Sequence, residues 1–309
     1  MFWSASRESE MMELKRFNYT PILGWSMTRY SVFSICKRKY YYQYYAKYDP
    51  EFPRVRIEAL KELTTIPLEI GAIAHDIIRV LLRRLARTQD AVDTDRLFEY
   101  AQDIAQGRCI SKVFAEVYYA EREEISVDNV FPKVKNSLEN LLGSERFQWL
   151  CDPTLQRYDR WLIEPPGFGE TRIDGLKAYC KVDFLLPVQQ ELFVIDWKTG
   201  KQDEDKHSAQ LIGYAAWASF HFETDPQAIR PIIAYLSPDY FEMELRLEQN
   251  DVGEFAQRVR AETEEMSAYC QNVEKNIPKE KSVFPITSNR RICEYCNFRE
   301  LCKIEPIAA

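Results

Sequence analysis

The sequence predicts an α/β protein with a mixed central sheet flanked by helices, and three observations carry that prediction. Strand-like runs follow one another between residues 157 and 199 as "RYDRWLIE", "LKAYCKVDFLLP" and "ELFVIDWKT". A helical pattern over about 206–222 comes next, then the strands "IRPIIAYLS" and "FEMELRLE". The chain upstream of residue 150 is helical in period. Adjacent strands followed by helix and strand favour a mixed sheet over an all-parallel, doubly wound one.

Each element has its own signal. "YSVFSICKRKYYYQYYAKY", residues 30–48, interleaves aromatic and basic side chains, and predicts a helix near the surface. Residues 68–92 contain "IAHDIIRVLLRRLARTQ", where Ala74, Ile77, Ile78, Leu81, Leu82 and Leu85 recur at helical spacing. Residues 93–150 stay helical and charged, with Pro132 and Gly143 as breaks, and read as a helical insertion. Residues 155–247 carry the strands, and 248–309 a charged helix near 250–276 and a cysteine-bearing tail. The whole, 1–309, reads as one domain.

Composition narrows the classes. With 46% hydrophobic and 13% aromatic residues the chain folds and buries a core. Its longest apolar runs fall short of the roughly 20 residues that a bilayer requires, so no membrane span is expected. The amino terminus lacks the basic start and apolar block of a signal peptide, which makes the cytoplasm the expected location. A net charge of -7 argues against coating nucleic acid by bulk charge, although a local basic groove can coexist with it. The absence of a G-x-x-x-x-G-K-[ST] loop gives no reason to expect a nucleoside triphosphate. Eight cysteines without a secretion signal point to metal rather than disulfides.

The chemistry concentrates at the strand ends. Asp183 lies between Val182 and Phe184, where a buried carboxylate needs a partner or a metal. Asp196 ends the next strand, and pairing of the two through "PVQQE" would bring both acids to one end of the sheet. Two carboxylates make a hard-ligand site suited to Mg²⁺ or Mn²⁺. Lys198 is two residues beyond Asp196 and so shares its face. A metal-activated water beside a lysine suits phosphodiester hydrolysis. At about 100° per residue, His75 falls about 90° from the centre of its helix's apolar stripe, at the edge of the buried face. Gln210 and Tyr214, four apart, share a helical face. His207 and His221 match no pattern and read as surface or structural residues.

Gly71 to His75, Asp183, Asp196-Trp197-Lys198 and Gln210 to Tyr214 together resemble the PD-(D/E)XK nucleases. More narrowly they resemble the RecB-like branch that includes CRISPR-associated exonucleases and the AddB nuclease domain. The resemblance implies a restriction-endonuclease-like core with His75, Asp183, Asp196 and the Trp197 carbonyl as metal ligands. Lys198 would be the catalytic lysine. It also implies that Gln210 and Tyr214 contact DNA or brace the site, with Lys37, Arg38 and Lys39 handling the strand.

The tail "CEYCNFRELC" offers Cys293, Cys296 and Cys302, three ligands of a four-ligand site. In the resembling family the fourth is a cysteine near the amino terminus, here Cys36, and the group is a [4Fe-4S] cluster joining the chain ends. Spacing alone leaves zinc as the competitor. Cys109, Cys151, Cys180 and Cys270 are isolated and read as free thiols. The expected activity is a metal-dependent exonuclease on single-stranded or frayed DNA, serving CRISPR spacer acquisition or recombination and repair beside a protein partner. The competing reading is a non-catalytic iron-sulfur DNA-binding module of a larger complex.

Overall fold

The computed structural model describes residues 14–88, 90–155, 161–164, 170–248 and 250–302. Eight helices come first: α1 (Met27–Ile35), α2 (Lys37–Tyr45), α3 (Arg54–Lys61), α4 (Ile66–Leu85), α5 (Thr94–Ser111), α6 (Ala115–Tyr118), α7 (Phe131–Leu142) and α8 (Glu145–Leu150). Strands β1 (Leu162–Ile163), β2 (Glu170–Ile173), β3 (Leu176–Tyr179), β4 (Phe184–Val188) and β5 (Glu191–Lys198) follow. Helix α9 (Glu204–Phe222), β6 (Ile229–Tyr235), β7 (Phe241–Glu244), α10 (Asp251–Ser267), β8 (Cys270–Asn272), β9 (Ile277–Pro278) and α11 (Arg290–Glu294) complete the chain.

The sheet is mixed, as its sequence predicts, with five strands in the order β1-β4-β5-β6-β7. β5 pairs antiparallel with β4 and parallel with β6, and α9 makes the crossover between β5 and β6. β5 therefore lies in the interior and is covered on both faces. Leu192 and Val194 pack with α9 and α10, whereas Ile195 and Trp197 pack with α4 and α7. The residues 93–150 are thus no appendage. Leu138, Leu141 and Leu150 are fully buried and close that second face.

Helix α4 starts where Thr65 Oγ1 accepts from Leu68 N at 3.4 Å, with Pro67 in the first turn. Its Ile73, Ile77, Ile78 and Leu81 are buried, each worth about 1.5–3 kcal/mol. Asp203 caps α9 in the same way, accepting from Lys206 N at 3.1 Å, and Glu204 and Asp205 favour the positive end of its dipole.

Three expectations are corrected. The helix expected near the surface over 30–48 is two helices broken at Cys36, and Tyr40, Tyr41, Tyr42 and Tyr45 are buried. Their hydroxyls find partners inside: Arg29 Nε donates to Tyr40 at 3.1 Å, and Tyr45 donates to Asn276 at 2.7 Å. The run 176–187 is two strands in different sheets, since β3 pairs with β2 while β4 joins the main sheet. The helix expected to reach residue 276 ends at Ser267, because the chain turns there into the β8–β9 hairpin. Of the two readings left open for His207 and His221, the structural one holds: both are buried, His207 Nδ1 lies 2.5 Å from the Tyr235 hydroxyl, and His221 Nε2 accepts from Lys15 N at 2.8 Å. Residues 157–160 of the first expected strand lie outside the described residues, and β1 begins at Leu162. No described helix is long and apolar enough to cross a membrane.

Candidate active site

The antiparallel register of β4 and β5 sets Phe184 opposite Ile195. Asp183 is the residue just before β4 and Asp196 the one just past Ile195, so both lie where the β4–β5 pairing ends. The carboxylate of Asp183 is fixed by the Trp197 backbone, whose N–H donates to Oδ2 at 3.0 Å. His75 comes from α4, with Nδ1 at 3.2 Å from the same oxygen. Helix and strand end approach closely at Gly71, where a Cβ would come within 3.3 Å of Thr199 Oγ1 and the threonine side chain would have to give by a few tenths of an ångström.

Glu164 is the member that sequence reasoning missed. It follows the two-residue strand β1, and its backbone has a φ of 35°. One donor atom each from His75, Glu164 and Asp183 lie within 4.8 Å of one another. A nitrogen and two carboxylate oxygens at that spacing fit a hard divalent cation. Around them Arg79 Nη1 is 3.1 Å and Lys181 Nζ 3.4 Å from Glu164 Oε2. Arg79 continues to Asp76 at 2.6 Å, and Asp76 to Arg108 at 2.6 Å. The only signal for Glu164 in the sequence was an acid closing an apolar strand, which is common at strand ends.

Asp196 stands beside this group rather than within it. It is buried on the α9 face of β5, where it pairs with Lys198. Tyr214, also buried, donates to Asp196 Oδ1 at 2.5 Å, and Gln210 Nε2 donates to the Tyr214 oxygen at 2.5 Å. Gln210 and Tyr214 therefore brace the carboxylate. The Trp197 ring is buried on the opposite face.

Burial and charge divide the two aspartates. Burial works upward on the Asp183 pKa, but the charge and hydrogen bond of His75 and the Trp197 N–H outweigh it and hold it below the usual carboxylate range. Burial pushes Asp196 up, the neighbouring Asp183 charge adds to this, and Lys198 opposes it. His75 is raised overall: desolvation lowers it, and Asp183 more than compensates.

The cysteines from the two chain ends also meet. Cys36 caps α2, its Sγ accepting from Lys39 N at 3.4 Å. Arg38 ties α2 to the tail region by donating to the Phe284 carbonyl at 2.9 Å, and Tyr42 donates to the Leu301 carbonyl at 3.4 Å. Burial, with Cys296, Cys36 and Cys293 close enough to add to it, pushes the Cys302 pKa up to about 12. Among the described residues no three thiol sulfurs lie within 4.8 Å of one another. Lys37 lies over the Phe33 ring, its ammonium 3.3 Å from the centroid, and Lys39 is half-buried.

Hard donors that could hold a cation therefore gather beside a lysine in a mixed α/β sheet. The sequence pattern of the PD-(D/E)XK nuclease superfamily matches residues 24–303, and the chain belongs to that superfamily of nucleases. Among solved structures it is similar to a protein named SSO0001, at 16% identity and a TM-score of 0.30, over 68% of this chain and 97% of that one. It is also similar to a "Putative exonuclease" from Eubacterium rectale, at 14% identity and a TM-score of 0.35, over 72% of this chain and 80% of the other. No curated protein matches.

Proposed function

We propose that the chain is a metal-dependent deoxyribonuclease of the RecB-like type, cutting single-stranded or frayed DNA from an end. The observation that carries this is the meeting of His75, Glu164 and Asp183 at the sheet end where β5 presents Asp196 and Lys198. His75, Asp183 and Asp196, with the Trp197 carbonyl, are the residues that would hold Mg²⁺ or Mn²⁺, and Glu164 joins them. Such an ion supplies positive charge at the scissile phosphate and a more acidic bound water.

The protein's own groups do the positioning. Asp183 keeps its orientation through the Trp197 N–H and orients the His75 ring. Tyr214 and Gln210 hold Asp196 from the α9 side, so its carboxylate need not reorganise when substrate arrives. Lys198, a quarter exposed, is the group able to reach a phosphate oxygen or the attacking water. Lys37, Arg38 and Lys39 would contribute strand contacts only where their present partners release them.

For Cys36, Cys293, Cys296 and Cys302 the reading is a [4Fe-4S] cluster that staples the chain ends. Zinc on the same four thiols is the alternative that the chemistry of the donor set leaves open. CRISPR spacer acquisition and recombinational repair, in the cytoplasm and beside a protein partner, are the roles such an activity would serve.

The test is cleavage of 5′- and 3′-labelled single strands in Mn²⁺ or Mg²⁺ by anaerobically prepared protein. Wild-type cleavage, lost in Asp196→Ala and in Lys198→Ala, is expected. Equal cleavage by the variants, or none by wild type, sinks the proposal.

A further inference from the structure

Beside the carboxylates lies a cavity of about 240 Å³ to which the cleavage chemistry assigns nothing. Its walls come from the start of α1, from the connection between β3 and β4, and from α9. Two of these walls lead straight into the site: the connection runs on to Asp183, and Tyr214 of α9 holds Asp196.

The lining changes character from floor to mouth. Trp25 and Ile173 form a buried apolar floor. Tyr179 is 38% exposed, and its backbone N–H donates to the Trp25 carbonyl at 2.7 Å. Its ring occupies space left by Gly24, where a Cβ would come within 2.6 Å of Tyr179 Cε2. The ring is thereby held at the cavity wall, with the Lys177 ammonium 5.4 Å from its centroid. At the other wall stand Met27 and Thr28, in the first turn of α1, whose amides have no intrahelical acceptor. Ser26 spends its hydroxyl on Arg29 N, and no acid lies in that turn. Lys181, exposed, also lines this wall, with its ammonium 3.4 Å from Glu164 Oε2 and so shared between that carboxylate and the cavity mouth.

An aromatic face and an apolar floor opposite paired amides and an ammonium match one ligand chemistry, a nucleotide. We propose that the cavity binds one unpaired nucleotide of the substrate strand, with its base on Tyr179 and its phosphate between the Met27 and Thr28 amides and Lys181. The adjoining phosphodiester would then reach Asp183 and Asp196. This subsite rests on the nuclease reading. It adds a reason for single-strand preference, because a base seated on Tyr179 inside the cavity has to be unpaired.

Two variants test it. Tyr179→Ala removes the stacking face. Thr28→Glu puts a carboxylate at the phosphate position while favouring the α1 dipole, so weaker binding cannot be ascribed to a weaker helix. The probe is a fluorescent 12-nucleotide single strand, followed by anisotropy with chelator present and by cleavage in Mn²⁺. Tyr179→Ala is expected to weaken binding about tenfold, as for one lost base stack, and to raise KM with kcat within about twofold. Thr28→Glu is expected to weaken binding and to make its salt dependence shallower by about 0.7 in log-log slope, one phosphate contact. Variants that bind and cleave as wild type does would overturn the subsite and leave the nuclease standing. Wild type that neither binds nor cleaves would overturn both.

Discussion

Tyr214 donates its hydroxyl hydrogen to Asp196 across the interface between α9 and β5, and both residues are buried. A neutral phenol there stabilises the carboxylate without cancelling its charge. Tyr214→Phe should leave the fold intact and cut the cleavage rate about tenfold, since a hydrogen bond to a charged group is worth about 1.5–3 kcal/mol. Unchanged kcat in Tyr214→Phe would assign the bond to packing alone.

Glu164 offers a sharper test of the cation site, because it is absent from the motif that the sequence displays. Glu164→Gln keeps the shape and removes the charge. Calorimetric Mn²⁺ binding is expected to weaken by about 10- to 100-fold, in the range found for groups that tune metal sites. Identical affinity in the variant would leave Glu164 as a partner of Arg79 and Lys181 only.

Lys281 sits between Asp49 and Glu51 at 2.9 Å from each, with Asp49 fully enclosed. Lys281→Met strands a buried carboxylate. Denaturant unfolding should show a loss of about 3–5 kcal/mol. A loss under 1 kcal/mol would mean that Asp49 takes up a proton or reaches water at little cost.

His221 predicts an acid-sensitive dock for the segment at Lys15. Burial pushes its pKa down to about 4 from an ordinary 6.5, with the Lys15 charge adding to the effect. The imidazole must be neutral to accept the Lys15 N–H, and the rings of Phe17, Trp217 and Phe222 surround it. The unfolded chain binds the proton first as pH falls. This contribution to stability is therefore complete above 6.5 and is lost progressively down to about 4. Between those values wild type should lose stability relative to His221→Gln, and a constant difference would refute the assignment.

The thiol group is open to a direct assay. Anaerobic protein should absorb broadly near roughly 400 nm, as iron-sulfur chromophores do. Cys36→Ser should lose that band and most of its iron. Colourless wild type with one bound zinc would replace the cluster by a Cys₄ site.

What the sequence determined by itself was everything encoded within one element or between neighbouring ones. Alternation in β5 put Asp196 and Lys198 on one face, a short turn brought Asp183 to the same end of the pairing, and helical period placed His75 at the edge of a buried stripe. Pairwise spacing is a local property, so local rules found it. Tertiary structure alone decided the rest. Glu164 joins the site through an edge strand too short to show a period, and Tyr179 and Phe184 part into different sheets within what reads as one strand. Tyr42 and Tyr45 of α2 are interior with their hydroxyls satisfied by the Leu301 carbonyl and Asn276, both more than 200 residues away in the chain. Partners drawn from remote segments decide which polar groups can be buried, and no window of the sequence contains both halves of such a bond.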